Sequence, residues 1–402
     1  MKRKDALFLC QFFYPEYNSS ATLPWDTARF LANEGYSIGA LCGYPKEYNN
    51  NSNVPLVEIK ENVEIKRLKY LQLKRGKKFS RLINYFSFTF SVLLHVGELR
   101  KYKSVFVYSN PPVLPIVPIL AKILFDTKII FVSYDVYPEV AYASGSLTEN
   151  GVIAKTMRMI NRALSKKVSF VVSLTEEMKE FLLNNRPNLK REQVRVIPNW
   201  AHESTKACDS RTYAKFGYSK DDFIVSYFGN MGICQEMETF IQNMKLMKDD
   251  SRIKFFIVGH GGKMKHVINE TKDLKNVQVL QFLTGDDFED AVAISSCSIV
   301  SLEAGLRGMC APSKFYSYLQ GGIPVISITE KGSYLQDEIE KESIGKAITI
   351  GDTQGLTDAI YALAHDEQYR YILAKNASDL YERKYTMKKC LSKYAEMLAE
   401  LV

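Results

Sequence analysis

Residues 223–262 read FIVSYFGNMGICQEMETFIQNMKLMKDDSRIKFFIVGHGG. The run Phe223–Phe228 is almost wholly apolar and stops at Gly229. A helix-like segment follows over Glu238–Met247. A second strand-like run, Lys254–Val258, stops at Gly259, with Gly261 and Gly262 close behind. Strand, glycine turn, helix, strand, glycine turn is one β-α-β unit. Strands that look buried on both faces belong in a parallel sheet covered by helices.

The same alternation runs outward in both directions. Toward the C-terminus come strand Val277–Phe282, helix Asp286–Ile294, strand Cys297–Ser301, helix Lys314–Leu319, strand Val325–Ile328, helix Tyr334–Glu342 and strand Ala347–Ile350. From about Gly355 the spacing of Leu363, Ile372, Leu380 and Leu391 predicts further helices. Toward the N-terminus the predicted strands are Ala6–Phe13, Tyr36–Cys42, Ser104–Tyr108, Lys128–Ser133, Phe170–Ser173 and Gln193–Ile197. Between them lie helices Thr22–Glu34, Leu114–Leu124, Val152–Leu164 and Glu176–Asn184. The pattern restarts after 198–222, which places a domain boundary near Ala201–Lys206. A chain of 402 residues is too long for one ordinary core, so two α/β domains are expected.

Composition fits a globular protein, with 46% hydrophobic and 24% charged residues. The net charge of +8 favours an anionic partner. The seven cysteines (Cys10, Cys42, Cys208, Cys234, Cys297, Cys310 and Cys390) show no metal-ligand spacing, and their odd count reads as reduced thiols of a cytoplasmic protein. The first residues, MKRKDALFLCQFFYPE, have too short an apolar run and no cleavage site for a signal peptide, and read as a strand. No window reaches the ~20 apolar residues that span a bilayer.

Open α/β sheets bind ligands beyond the carboxyl ends of their strands, so the loops after strands are the candidates. After the first strand, Tyr14, Glu16, Ser19 and Ser20 lie in a polar loop that opens a helix. Its free N–H groups suit an anion or a sugar hydroxyl; the plainer alternative is a helix cap by Ser20 or Thr22. Asp135 and Glu139 follow the strand Lys128–Ser133. A carboxylate there accepts hydrogen bonds from a sugar, serves as a base, or merely caps a helix. In the second domain Gly229 and Gly232 bracket Asn230, and Gly259 and Gly261 bracket His260, so the backbone there could approach a ligand closely. Arg307 and Pro312-Ser313-Lys314 precede a helix that Ser313 can cap, so two cations and first-turn N–H groups would face one diphosphate. The alternative for Lys314 is a solvated surface lysine.

The run 66-KRLKYLQLKRGKKFSR-81 carries eight basic residues and no acid, and the uncharged 82-LINYFSFTFSVLLHVG-97 follows it. Like charge beside an apolar helix face predicts a membrane-surface element; the plainer alternative is a solvated loop beside a core helix. Nucleic-acid binding is not expected. There is no GxxxxGK[ST], GxSxG, HExxH or DxD in the chain.

The motifs FFYPEYNSSAT, SNPPVLP, YDVYPEVA, VSLTEEM, VIPNW, YFGNMG, VGHGG and PSKFYSYLQGGIPVI run in order along nearly the whole length. With them the chain resembles retaining GT-B glycosyltransferases of the family 4 type, in particular bacterial capsule, O-antigen and exopolysaccharide transferases. The resemblance implies an acceptor-binding Rossmann-like domain over 1–203 and a nucleotide-sugar-binding one over 204–385, facing across a cleft. A helix over 386–402 would cross back to the first domain. The candidate catalytic residues are Asp135, with Lys314 and Arg307 standing in for the family's usual diphosphate-neutralising cations. The donor would meet Gly229, Asn230, Gly232, Gly259, His260, Gly261, Pro312, Ser313, Tyr316 and Ser317. The acceptor would meet Tyr14, Glu16, Ser19, Ser20 and Glu139. No metal and no cofactor are implied; a nucleotide-sugar is the substrate.

The chain departs from that pattern. The family's pair of acids spaced by seven residues falls on Met309 and Ser317. The usual cations after the second domain's first strand are missing from YFGNMGICQEME, and Tyr134 stands where a histidine is frequent. The expected function is sugar transfer, from a UDP-linked hexose or N-acetylhexosamine to a polyprenyl-diphosphate-linked saccharide. It would take place in the cytoplasm on the inner face of the membrane. The alternative is a non-catalytic GT-B scaffold subunit of a polysaccharide-synthesis complex.

Overall fold

A computed structural model describes residues 2–46, 53–73, 78–202 and 209–402. The chain divides into two compact units. One comprises Met1–Pro198, Gly308–Ala311 and Lys388–Val402; the other comprises Asn199–Arg307 and Pro312–Met387. The boundary expected after residue 203 falls among residues outside those described.

The first unit is an eight-stranded sheet. Its strands are β1 (Lys4–Cys10), β2 (Ile38–Gly43), β3 (Val57–Lys60), β4 (Val63–Leu68), β5 (Tyr102–Tyr108), β6 (Lys128–Val132), β7 (Phe170–Ser173) and β8 (Val194–Val196). Their order is β3-β4-β2-β1-β5-β6-β7-β8, parallel throughout except for β3. All six residues of β2 and the last five of β1 are buried, as a sheet covered on both faces requires. Leu7, Leu9, Leu41, Val105, Val107 and Ile129 form its core with Phe88 and Val92 of helix Lys78–Leu93.

β3 and β4 were not expected. β3 forms the sheet edge and β4 lies next to it, where VEIKRL buries Val63 and Ile65 but exposes Glu64, so no continuous apolar run marks them. Glu61 and Asn62, both left-handed (φ 46° and 64°), close a two-residue hairpin between them. This also corrects the basic run, whose first residues belong to β4. Arg67 is buried and ion-paired with Glu58, and Lys66 pairs with Glu98 at 3.3 Å. Residues 74–77 of that run lie outside the described residues.

The second unit holds β9 (Phe223–Asn230), β10 (Ile253–His260), β11 (Val277–Gln281), β12 (Cys297–Ser301), β13 (Val325–Thr329) and β14 (Gly345–Thr349). Every pairing is parallel, in the order β11-β10-β9-β12-β13-β14. Phe240, Ile241 and Met244 of helix Glu238–Leu246 pack on Phe255, Ile257 and Ile299, with Leu356, Ile360 and Leu363 in the same core. Ile372, expected on the apolar face, is exposed.

Two segments late in the chain belong to the first unit. From helix Met387–Ala399, Tyr394 packs on Phe106 at 6.2 Å, and Glu400 pairs with Arg195. In Gly308–Ala311, Cys310 bridges antiparallel to Asp135, and Val136 donates its N–H to the Met309 carbonyl at 2.8 Å. The side chains of Met309 and Ala311 pack on the first unit's core. Position 309 is therefore apolar for a packing reason. The described cysteines are free thiols, and among the described residues no helix is long and apolar enough to cross a membrane.

Candidate functional site

In the second unit the strand order reverses between β9 and β12. β10 and β11 continue to one side, β13 and β14 to the other. Loops leaving neighbouring strands in opposite directions open a crevice at the carboxyl edge. Gly229 ends the buried part of β9 at φ 107°, a conformation that favours glycine.

A Cβ on Gly229 would lie 3.7 Å from Cε of Lys314. The Lys314 ammonium sits 3.4 Å above the Tyr227 ring centroid, buried, and among the described residues it has no hydrogen-bond partner. Burial pushes its pKa well below the ordinary lysine value. The ring's negative face is the one attraction offered in place of water. The Tyr227 hydroxyl donates to the Asn230 carbonyl at 3.0 Å, and the Phe228 N–H donates to the Tyr318 hydroxyl at 2.9 Å. Lys314 thus lies beneath the glycine turn and is not a solvated surface lysine.

Two expectations for this segment are corrected, the cap by Ser313 and an outward-facing Tyr316. Ser313 makes no side-chain cap and already has helical angles (φ −62°, ψ −27°). Tyr316 is buried with its ring 5.1 Å from Tyr385, edge to face, because helix Lys314–Gln320 turns its aromatics inward. Pro312 is buried, and Ser317 is half-buried with its carbonyl accepting from Gly321. Arg307 is exposed and lies at the Gly332 turn after β13.

At the end of β10, the His260 ring meets Phe282 edge-on at 5.1 Å. Its Nδ1 is buried without a partner, and burial lowers its pKa. A Cβ on Gly259 would overlap the Gly229 carbonyl, and one on Gly261 would crowd the Met231 carbonyl at 2.5 Å. These two positions need glycine for backbone packing between loops. Asn230 is exposed, with its amide against Gly232 and Gly261. The Gly232 N–H donates to Gln235.

Three charged residues here were not anticipated. Lys263 donates to the Gln235 carbonyl at 2.6 Å and is ion-paired with Glu303. Glu236 is buried. It accepts from the Thr239 N–H at 2.8 Å through one oxygen, and its other oxygen has no partner. Positions 236, 263 and 303 share no spacing motif. Their one common signal is that each follows a strand.

In the first unit the order reverses between β1 and β5. Gln11, just after β1, is 1% exposed, and neither end of its amide has a partner; Oδ1 of Asn18 and of Asn110 are also unpartnered. The Ser109 hydroxyl accepts from the N–H groups of Tyr134 and Asp135 at 3.1 and 3.2 Å, which brings Asp135 to this edge. Burial raises the Asp135 carboxyl to about 6. The Tyr14 ring packs on Trp25 at 4.8 Å, and Glu16 is buried. Ser19 and Ser20 open helix Ser19–Asn33, whose capping position is Asn18 and not Ser20 or Thr22.

Glu139 is corrected as an acceptor-binding acid. Both its oxygens accept from Arg186 at 2.7 Å, and both residues are buried, so the pair is structural. A cavity of about 30 Å³ lined by Asp135, Asn161 and Arg186 has room for roughly one water, far less than a sugar needs. Among the described residues no group of three or more His, Cys, Asp or Glu could hold a metal ion.

Residues 222–366 match the family described as Glycosyl transferases group 1. The chain is 25% identical to Probable glycosyltransferase WbjE of Pseudomonas aeruginosa over 264 residues, 64% of this chain and 65% of that relative's length. It superposes on Anabaena HepE in complex with UDP and glucose with a TM-score of 0.75 at 15% identity, covering 99% of this chain and 100% of that one. It superposes on WaaG, a glycosyltransferase involved in lipopolysaccharide biosynthesis, with a TM-score of 0.73 at 13% identity, covering 98% and 99%. The fold is that of the GT-B glycosyltransferases.

Proposed function

We propose that the protein is a retaining glycosyltransferase. It moves a hexose or N-acetylhexosamine from a UDP-sugar to a polyprenyl-diphosphate-linked saccharide in capsule, O-antigen or exopolysaccharide synthesis. The observation that carries this reading is the unpartnered ammonium of Lys314 under the Gly229 turn, at the β9/β12 crossover. A buried ammonium without a partner is costly, and a diphosphate arriving at the turn supplies one. UDP and glucose bound by HepE, and the lipopolysaccharide role of WaaG, support the donor and product classes.

No nucleophile constellation is needed. The acceptor hydroxyl attacks on the face from which the diphosphate leaves, and the diphosphate takes its proton. The residues stabilise the departing charge and hold the acceptor, with no metal assigned a part. Asp135, at the first unit's crossover edge, orients the acceptor hydroxyl. The test is incubation of purified protein with UDP-, GDP- and dTDP-sugars, read as released nucleotide. Release from a UDP-sugar is expected; no turnover together with no binding of any nucleotide overturns the proposal.

The lipid-linked acceptor places the work at the inner face of the membrane, and the surface of the first unit supports that. Helix Lys78–Leu93 turns Ile83, Phe86 and Phe90 outward, and Leu94 continues the stripe. Asn84 clasps the backbone of Leu73 through both ends of its amide, which sets the exposed Leu71 and Leu73 beside the helix. Lys69 and Arg81 are exposed nearby. An apolar stripe flanked by cations suits an anionic lipid surface.

The inward turn of Lys314 favours a second reading, a scaffold subunit without activity. It requires co-purification with a partner transferase and no nucleotide release in the same screen.

A further inference from the structure

Glu303 lies two residues beyond β12, its N–H held by the Cys234 carbonyl at 2.9 Å. Its carboxylate pairs with Lys263, and Lys263 also donates to the Gln235 carbonyl. One lysine therefore ties together the loops that leave β9, β10 and β12. The side chain of Glu303 keeps 36% of its exposure and that of Lys263 27%, so the pair is open to a ligand. Behind it stands Glu236, 3% exposed, with Oε2 unpartnered. Burial, and then the charge of Glu303, raise the Glu236 carboxyl above its ordinary value, while hydrogen bonds from Thr239 oppose the rise.

The chemistry of this group differs from that around Lys314. Two carboxylates and one ammonium carry more acceptors than donors and repel phosphate oxygens. Hydroxyl groups suit them: each ionised carboxylate offers two oxygens with several lone pairs, and neighbouring hydroxyls of one ring can share it. Lys263 fixes the direction of the Glu303 carboxylate, so little freedom is lost when hydroxyls bind. The crossover edge is thus divided by charge, with a cation under Gly229 and acids at 236 and 303.

We propose that Glu303, held by Lys263 and backed by Glu236, binds the hydroxyl groups of the sugar being transferred. The proposal rests on the nucleotide-sugar reading of the same edge. It gives Glu303 a role in positioning and choosing the donor sugar.

The test compares binding of UDP with binding of UDP-glucose, UDP-galactose and UDP-N-acetylglucosamine to the full chain, to Glu303→Ala and to Lys263→Met. Glu303→Ala is expected to keep UDP affinity within about twofold and to weaken the preferred UDP-sugar about tenfold or more, as loss of charged hydrogen bonds to hydroxyls does. Lys263→Met is expected to weaken UDP-sugar binding less than Glu303→Ala does, because the carboxylate remains. If the pair is only a loop staple, both variants melt earlier and lose UDP and UDP-sugar affinity in parallel, which overturns the proposal. Unchanged affinity of Glu303→Ala for every sugar nucleotide overturns it as well. A wild-type chain that binds no nucleotide overturns the transferase reading itself, and this one with it.

Discussion

Lys314 sets stability against function. Its folded pKa lies below the unfolded value of ~10.4. Between the two, the unfolded chain binds more protons, so this group makes wild-type stability rise with pH across that window. Its cost is fully present below the lowered pKa and fades toward ~10.4. Lys314→Met is therefore expected to be the more stable protein near pH 7, by about 1–3 kcal/mol, with the gap closing near pH 10. Urea melts at both pH values check this, and a less stable variant at pH 7 contradicts it. In turnover, Lys314→Ala should lower kcat/KM more than about tenfold if the ammonium meets the leaving diphosphate. Asp135 adds a pH signature. With its carboxyl near 6, kcat/KM should rise as pH increases through 6, and Asp135→Asn should flatten that limb. For the buried pair, Glu139→Gln should cost about 3–5 kcal/mol in urea melts while leaving turnover per folded molecule unchanged.

Among elements, helix Lys78–Leu93 departs furthest from its pattern. Its sequence mixes apolar residues with Ser, Thr and Asn, yet Asn84 and Thr89 point inward while Phe86 and Phe90 point out. Asn84 points inward because its amide bonds the Leu73 backbone, and at the half-exposed margin Ser87 and Ser91 bond the Leu71 and Lys69 carbonyls; the buried Thr89 hydroxyl finds no partner among the described residues. Phe86→Ser with Phe90→Ser should change stability by no more than about 0.5 kcal/mol, since both are exposed. Sedimentation with anionic liposomes should fall; unchanged sedimentation removes the membrane assignment. The strands of β-α-β units were legible from apolar runs, and Phe170–Ser173 and Cys297–Ser301 match residue for residue. β3 and β4 were not, because the edge strand β3 and its neighbour β4 both alternate and carry charge, and such a pattern reads as a loop.

At the scale of the whole chain, a ligand that binds only the folded state raises stability by mass action. UDP at about 100 times its Kd should add about 2.7 kcal/mol, seen as a higher Tm that Lys314→Ala diminishes. Much of the fold could be read in advance. Apolar runs that end in glycine and alternate with helices leave little choice but parallel sheets, since burial and backbone pairing act on each segment locally. The positions of the loops after strands followed from the same reading. The order of strands within a sheet did not, because it depends on which segments meet across long stretches of chain. That order puts the crossover at β9/β12, gathers residues 236, 263 and 303 into one group, and turns the Lys314 ammonium onto Tyr227. Burial and charge pairing belong to neighbours in space, and spacing along the chain carries no record of them.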